Sequence, residues 1–89
     1  MAVHMVTYDL HRPSQDYEDL IAELKKSRNW WHYLQSSWLI ESDESPSNIW
    51  ARIQSSVDKD DSVLIIRVTN PHAGWLPQKA WDWINQFIG

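Results

Sequence analysis

Ala2-Val3-His4-Met5-Val6-Thr7-Tyr8-Asp9-Leu10 decides the fold of this chain. Val3, Val6, Thr7 and Tyr8 favour extended backbone, and no Gly or Pro interrupts them, so residues 2–9 are predicted to form a strand. The pattern stops at Asp9, where His11-Arg12-Pro13-Ser14 supplies turn chemistry. A first strand in a small α+β sheet is expected at its centre, because later elements pack onto it. Asp9 is then the one acid flanked by ordered, apolar strand residues, and the functional reading turns on it.

Working outward, Ser14 or Asp16 is placed to cap a helix in which Tyr17, Leu20, Ile21 and Leu24 share a face at i, i+3, i+4 and i+7. Acids lie early in that helix and Lys25-Lys26 late, as the helix dipole prefers. Trp30 to Leu34 is too short for a helix and rich in aromatics. It reads as a strand, turned by Gln35-Ser36-Ser37 into an antiparallel partner over 38–42. Ser45 as N-cap with Pro46 in the first turn starts a second helix, with Ile49, Ile53 and Val57 on one side and Trp50 widening that stripe. Ser62 to Val68 is the clearest strand. Its apolar residues do not alternate, so both faces are expected to be covered. Pro77 opens a last helix through Ile88, with Ala80, Trp81, Ile84, Phe87 and Ile88 along one side and Trp75 or Leu76 stapled back onto it.

Strand, helix, strand, strand, helix, strand is the split βαβ or ferredoxin-like order. It predicts a four-stranded antiparallel sheet with two helices on one face and the spatial strand order fourth, first, third, second. The expectation is a single α+β domain over 1–89, with a βαββαβ core at 2–68 and a C-terminal helix at 75–88. That helix, or a second copy of the chain, is expected to cover the other sheet face.

Composition narrows the chemistry. A chain of 89 residues buries only ~60–65% of its unfolded surface, so its core is modest. Seven Trp exceed what one small core needs, which assigns some of them to an interface. The absence of Cys removes disulfides, thiolate zinc sites and thiol catalysis. A net charge of -4 disfavours broad nucleic-acid binding. Lys25, Lys26 and Arg28 form the one tight basic cluster, and its place at a helix end explains it. No apolar run is long enough to span a membrane, and Met1 to Asp9 lacks the basic start and small-residue cleavage site of a signal peptide. A soluble, cytoplasmic protein is expected.

Three local patterns carry a family resemblance: Val6-Thr7-Tyr8-Asp9-Leu10, Gln35-Ser36-Ser37-Trp38-Leu39, and Asp61-Ser62-Val63-Leu64-Ile65-Ile66-Arg67. In this order and spacing, residues 2–68 resemble the small CRISPR-associated adaptation family called Cas-two. The chain looks more similar still to the short, Trp-rich bacterial proteins labelled SinR-family, and VapD-type toxins are similar in fold. The resemblance implies a ferredoxin-like homodimer. In nuclease members it also implies that the acid ending the first strand, here Asp9, helps hold a divalent metal such as Mg²⁺ near the two-fold axis. The chain departs from that pattern in being acidic, and in having a helix where those members usually place a fifth strand.

Each candidate residue has two readings. Asp9 either caps the turn that follows it or, paired with its copy in a dimer, ligates Mg²⁺, whose octahedral shell one carboxylate fills poorly. His11 is either an exposed loop residue or a general base beside that metal, and Arg12 either a loop residue or a phosphate clamp. His4 and His32 fall in strands. There they would either be half-buried and hydrogen-bonded, or meet across the sheet and bind a metal with Asp9 or Glu41. Trp30, Trp38, Arg67 and Trp75 are the expected interface residues. Nucleobase stacking would need more interleaved Lys and Arg than the chain offers. These observations put a non-catalytic interaction or regulatory module, with a protein partner or a second copy, ahead of a metal-dependent nuclease acting on RNA or DNA. A small-ligand sensor is the third function such a fold hosts.

Overall fold

The computed structural model describes residues 2–10 and 17–88. The chain forms β1 (Ala2–Asp9), α1 (Glu18–Lys25), β2 (Asn29–Trp31), β3 (Ser37–Ser42), α2 (Pro46–Ile53), β4 (Ser62–Val68) and α3 (Gln78–Ile88). The sheet runs β2-β3-β1-β4 with every pairing antiparallel, which is the ferredoxin-like arrangement expected. β1 is central, flanked by β3 and β4.

Side chains alternate across the sheet and directly paired residues share a face, so the register assigns each strand residue a side. Val6, Trp38 and Ile65 lie on the first face, where α1 and α2 pack. Leu20 and Leu24 of α1 and Ile49 and Ile53 of α2 complete this core with Ile40, all of them buried. Ser45 caps α2 as its sequence predicts: Asn48 N donates to Ser45 Oγ at 3.1 Å. Arg52 ties the two helices together. Its Nη1 donates to the Glu23 carbonyl at 2.6 Å, near the C-terminus of α1, where a cation complements exposed carbonyls. Tyr17 Oη donates to the Asp61 carboxylate at 3.2 Å, joining the start of α1 to the turn before β4. The caps expected at Ser14 and Asp16 lie outside the described residues.

The second face carries Val3, Met5, Thr7 and Asp9 of β1, Leu39 and Glu41 of β3, and Leu64, Ile66 and Val68 of β4. α3 packs against β1 on this side, with Ala80 and Ile84 buried. Among the described residues no helix is long and apolar enough to cross a membrane.

Four expectations are corrected. β2 ends at Trp31 and not at Leu34. The carbonyl of Ser36 accepts from Tyr8 N at 3.0 Å, and His32 stacks on Trp38 with ring centroids 4.0 Å apart, so residues 32–36 bend toward β1 and leave the ladder. β4 is not covered on both faces: Leu64 is 56% and Ile66 47% exposed, because β4 is an edge strand and α3 reaches only its last residues. Trp50 lies off the buried stripe of α2, 40% exposed beside Val63 and Ile65. Trp81 is half-buried because it lines an open cleft, and Leu76, not the fully exposed Trp75, lies against it there.

If α2 holds the core as described, Ile53→Ala should cost ~2–5 kcal/mol in urea unfolding, since it opens a cavity at a site with no solvent access. Ser45→Ala should cost only about 1 kcal/mol, the loss of one cap. Equal costs would contradict this division between core and cap.

Candidate functional site

Asp9 ends β1 opposite Ser62 of β4, exposed on the second face of the sheet. Thr7, Ser62 and Leu64 surround it in a shallow, open depression. Among the described residues no group of three or more His, Asp and Glu side chains is placed to hold a metal ion. Among the described residues that line this depression Asp9 is the one carboxylate, on an apolar and hydroxyl-bearing surface. His11 and Arg12 lie outside the described residues.

The two described strand candidates, His4 and His32, do not converge on Asp9. His4 points to the opposite face of the sheet, and His32 is used in the stack on Trp38, with its Nε2 3.3 Å from the Gln35 carbonyl. His4 is buried, and neither ring nitrogen has a hydrogen-bond partner among the described residues. Burial holds its pKa below the ordinary histidine range; Arg67 acts in the same direction and Glu44 against it. Its place on the opposite face of the sheet, and not its protonation, keeps this ring from a metal site shared with Asp9.

Glu41 is fully buried on the second face. Its Oε1 accepts from Asn29 Nδ2 at 3.1 Å, and its Oε2 lies 3.6 Å from Arg28 Nη1. Arg28 also pairs with Asp43, whose carboxyl it holds below the usual carboxylate range. Lys26 pairs with Glu23 at 2.6 Å, and Lys25 lies 5.3 Å from the Trp30 ring centroid. The basic cluster is therefore engaged within the chain, in keeping with its helix-end reading.

The expected interface residues separate. Trp38 is 1% exposed; its Nε1 donates to Tyr8 Oη at 3.1 Å and its ring packs on Trp30 and His32. It is a core residue with no surface to offer a partner, a correction that follows from its place on the helix face of a central strand. Trp30 and Arg67 are exposed on that face, toward opposite edges of the sheet. Trp75 is wholly exposed in the loop before α3.

Two features of the second face escaped the sequence. One is the open apolar pair Leu64 and Ile66 on the edge strand. The other is a cleft of about 320 Å³ between the sheet and α3, with Met5 and Leu39 on the sheet side, Trp31 and Leu34 at one end, and Trp81 and Ile84 on the helix side. Its residues come from five separate stretches, so no local pattern could reveal it. The signal available was the number of Trp beyond core needs.

The burial of His4 gives a test with a definite sign. Between the ordinary histidine pKa and the lowered value in the fold, the unfolded chain binds a proton that the folded chain refuses. The contribution of His4 is thus favourable above that window, and stability falls as pH drops through about 6.5. His4→Leu should flatten the dependence of the urea midpoint between pH 7.5 and pH 5. An unchanged slope would show that the ring titrates freely in the folded protein.

Comparison of the chain with protein-family models, with curated proteins and with solved structures finds no match.

Proposed function

We propose that this protein is a small, non-catalytic interaction module that acts as a homodimer, with β4 as its contact strand. The observation that carries this reading is the exposed edge. β4 is seven residues long, has no strand beside it on its outer side among the described residues, and presents Leu64 and Ile66 to solvent. Arg67 is its one charge, and it has no Pro, so the usual guards of a free edge are nearly absent. The strand is also self-complementary. An antiparallel pairing of two copies centred on Ile65 sets Leu64 of one opposite Ile66 of the other, so one two-fold axis buries both apolar pairs together.

The resemblance to Cas-two-like proteins supports a dimer as well, and it carries the second reading, a Mg²⁺-dependent nuclease. One observation favours that reading: Asp9 is exposed on the same sheet face as Leu64 and Ile66. A two-fold contact across this face is the arrangement that would supply a second carboxylate to the ion.

Sedimentation should find the parent dimeric at high micromolar concentration and the Leu64→Lys, Ile66→Lys double variant monomeric and folded. A parent that stays monomeric there would remove the proposal. The two readings part on chemistry. Purified protein with Mg²⁺ should leave RNA and DNA intact, whereas cleavage that is lost in a folded Asp9→Asn variant would establish the nuclease.

A further inference from the structure

The β4 edge has a second side. Val63, Ile65 and Arg67 lie on the helix face, as their pairing with Tyr8, Val6 and His4 of β1 requires. α2 packs over β4 there, and Trp50 lies with Pro46 and Ser47 beside Val63 and Ile65 in a shallow groove of about 220 Å³. Two large side chains on this strip are unused within the chain. Trp50 is 40% exposed, and among the described residues no ring or cation stacks on it. Arg67 is exposed, and among the described residues it enters no ion pair. A charge on an edge strand ordinarily guards against pairing, because a second strand would leave it without a partner. The register of two β4 strands alters that outcome. Val63 and Arg67 flank Ile65 on one face, so an antiparallel pairing centred on Ile65 sets Arg67 of one copy opposite Val63 of the other. Directly opposed residues have Cβ atoms ~4.5–5.5 Å apart on the same face. The guanidinium of one copy thus arrives at the groove where the other copy holds Trp50.

We propose that Arg67 of one copy lies on the Trp50 indole of the other, once on each side of the two-fold axis, and that these two cation–π pairs fix the register in which the β4 strands meet. The inference rests on the homodimer reading and makes a second copy the occupant of the groove. A guanidinium is planar and more weakly hydrated than an ammonium, so it stacks on an indole at little cost in lost water. Leu64 and Ile66 supply apolar contact on the open face, and Arg67 with Trp50 supplies selectivity on the helix face.

The test is complementation between two variants of the full chain. Both residues are exposed, so Trp50→Ala and Arg67→Ala should fold by circular dichroism. Each alone removes both pairs from its homodimer and should weaken self-association by about 5- to 30-fold in sedimentation. Trp50→Leu and Arg67→Gln, which keep more of the side-chain bulk, should behave in the same way. Mixed together, a Trp50→Ala chain and an Arg67→Ala chain regain one intact pair, Arg67 of the first on Trp50 of the second. Native mass spectrometry of the mixture should therefore show the heterodimer above its statistical share. A contact between Trp50 and Arg67 within one chain would be broken in both partners and would give no such excess. If the parent dimerises but the heterodimer stays at its statistical share, or the single variants associate as the parent does, the Arg67–Trp50 pair is overturned while the homodimer reading stands. A parent that stays monomeric at high micromolar concentration removes both.

Discussion

The architecture depends on the two-sided pairing of β1. This strand is hydrogen-bonded along both edges, to β3 and to β4, and it is covered on both faces over much of its length. Val6 anchors the core beneath α1 and α2, while Val3 is buried on the α3 side. Each other element is placed relative to this strand: α1 and α2 cross one face, α3 packs on the other, and β2 joins the sheet by pairing with β3. A strand used on four sides must be apolar without strict alternation, and Ala2-Val3-His4-Met5-Val6 meets that demand except at His4. Burial of its ring favours the neutral state, which ties the centre of the sheet to pH.

Two layers of very different character result. The helix face of the sheet is closed, with Trp38, Ile40, Ile49 and Ile53 packed beyond the reach of solvent. The α3 face is closed over Val3 and Glu41 but open over Leu64 and Ile66, with the apolar cleft between these regions and the helix. The open apolar pair and the cleft therefore lie on one side of the molecule, the side that α3 only half covers. Asp9 stands on that side too, and its role turns on what is brought opposite it.

Strand existence, strand order and the inner faces of α1 and α2 were legible in the sequence because each has a local cause. Leu20 and Leu24 follow helical spacing, Ser45-Pro46 marks a helix start, and the uninterrupted run to Asp9 marks the first strand. Facts that depend on tertiary placement were not legible. An unbroken apolar run such as Val63-Leu64-Ile65-Ile66 looks alike whether a strand is central or at an edge, so the exposure of Leu64 and Ile66 had no local signal. The early end of β2 arises from a ring stack and a carbonyl claimed by β1, contacts that join residues distant in sequence. Trp30, Trp38 and Trp75 are chemically identical, yet the fold leaves one partly exposed, buries one and leaves one bare. Residue type alone placed them together as interface candidates, and position in the fold separates them.

The shortness of β2 has a consequence for growth. The sheet has two outer edges, β4 with seven residues and β2 with three. A three-residue edge presents too few backbone groups to template another chain, and short edge strands are one way natural sheets avoid running on into fibres. Two copies joined at β4 would form an eight-stranded sheet whose ends are both β2. Addition would stop there, so in such an assembly the truncated hairpin that leaves β2 so short would act as a terminator, without any charge or proline placed for the purpose.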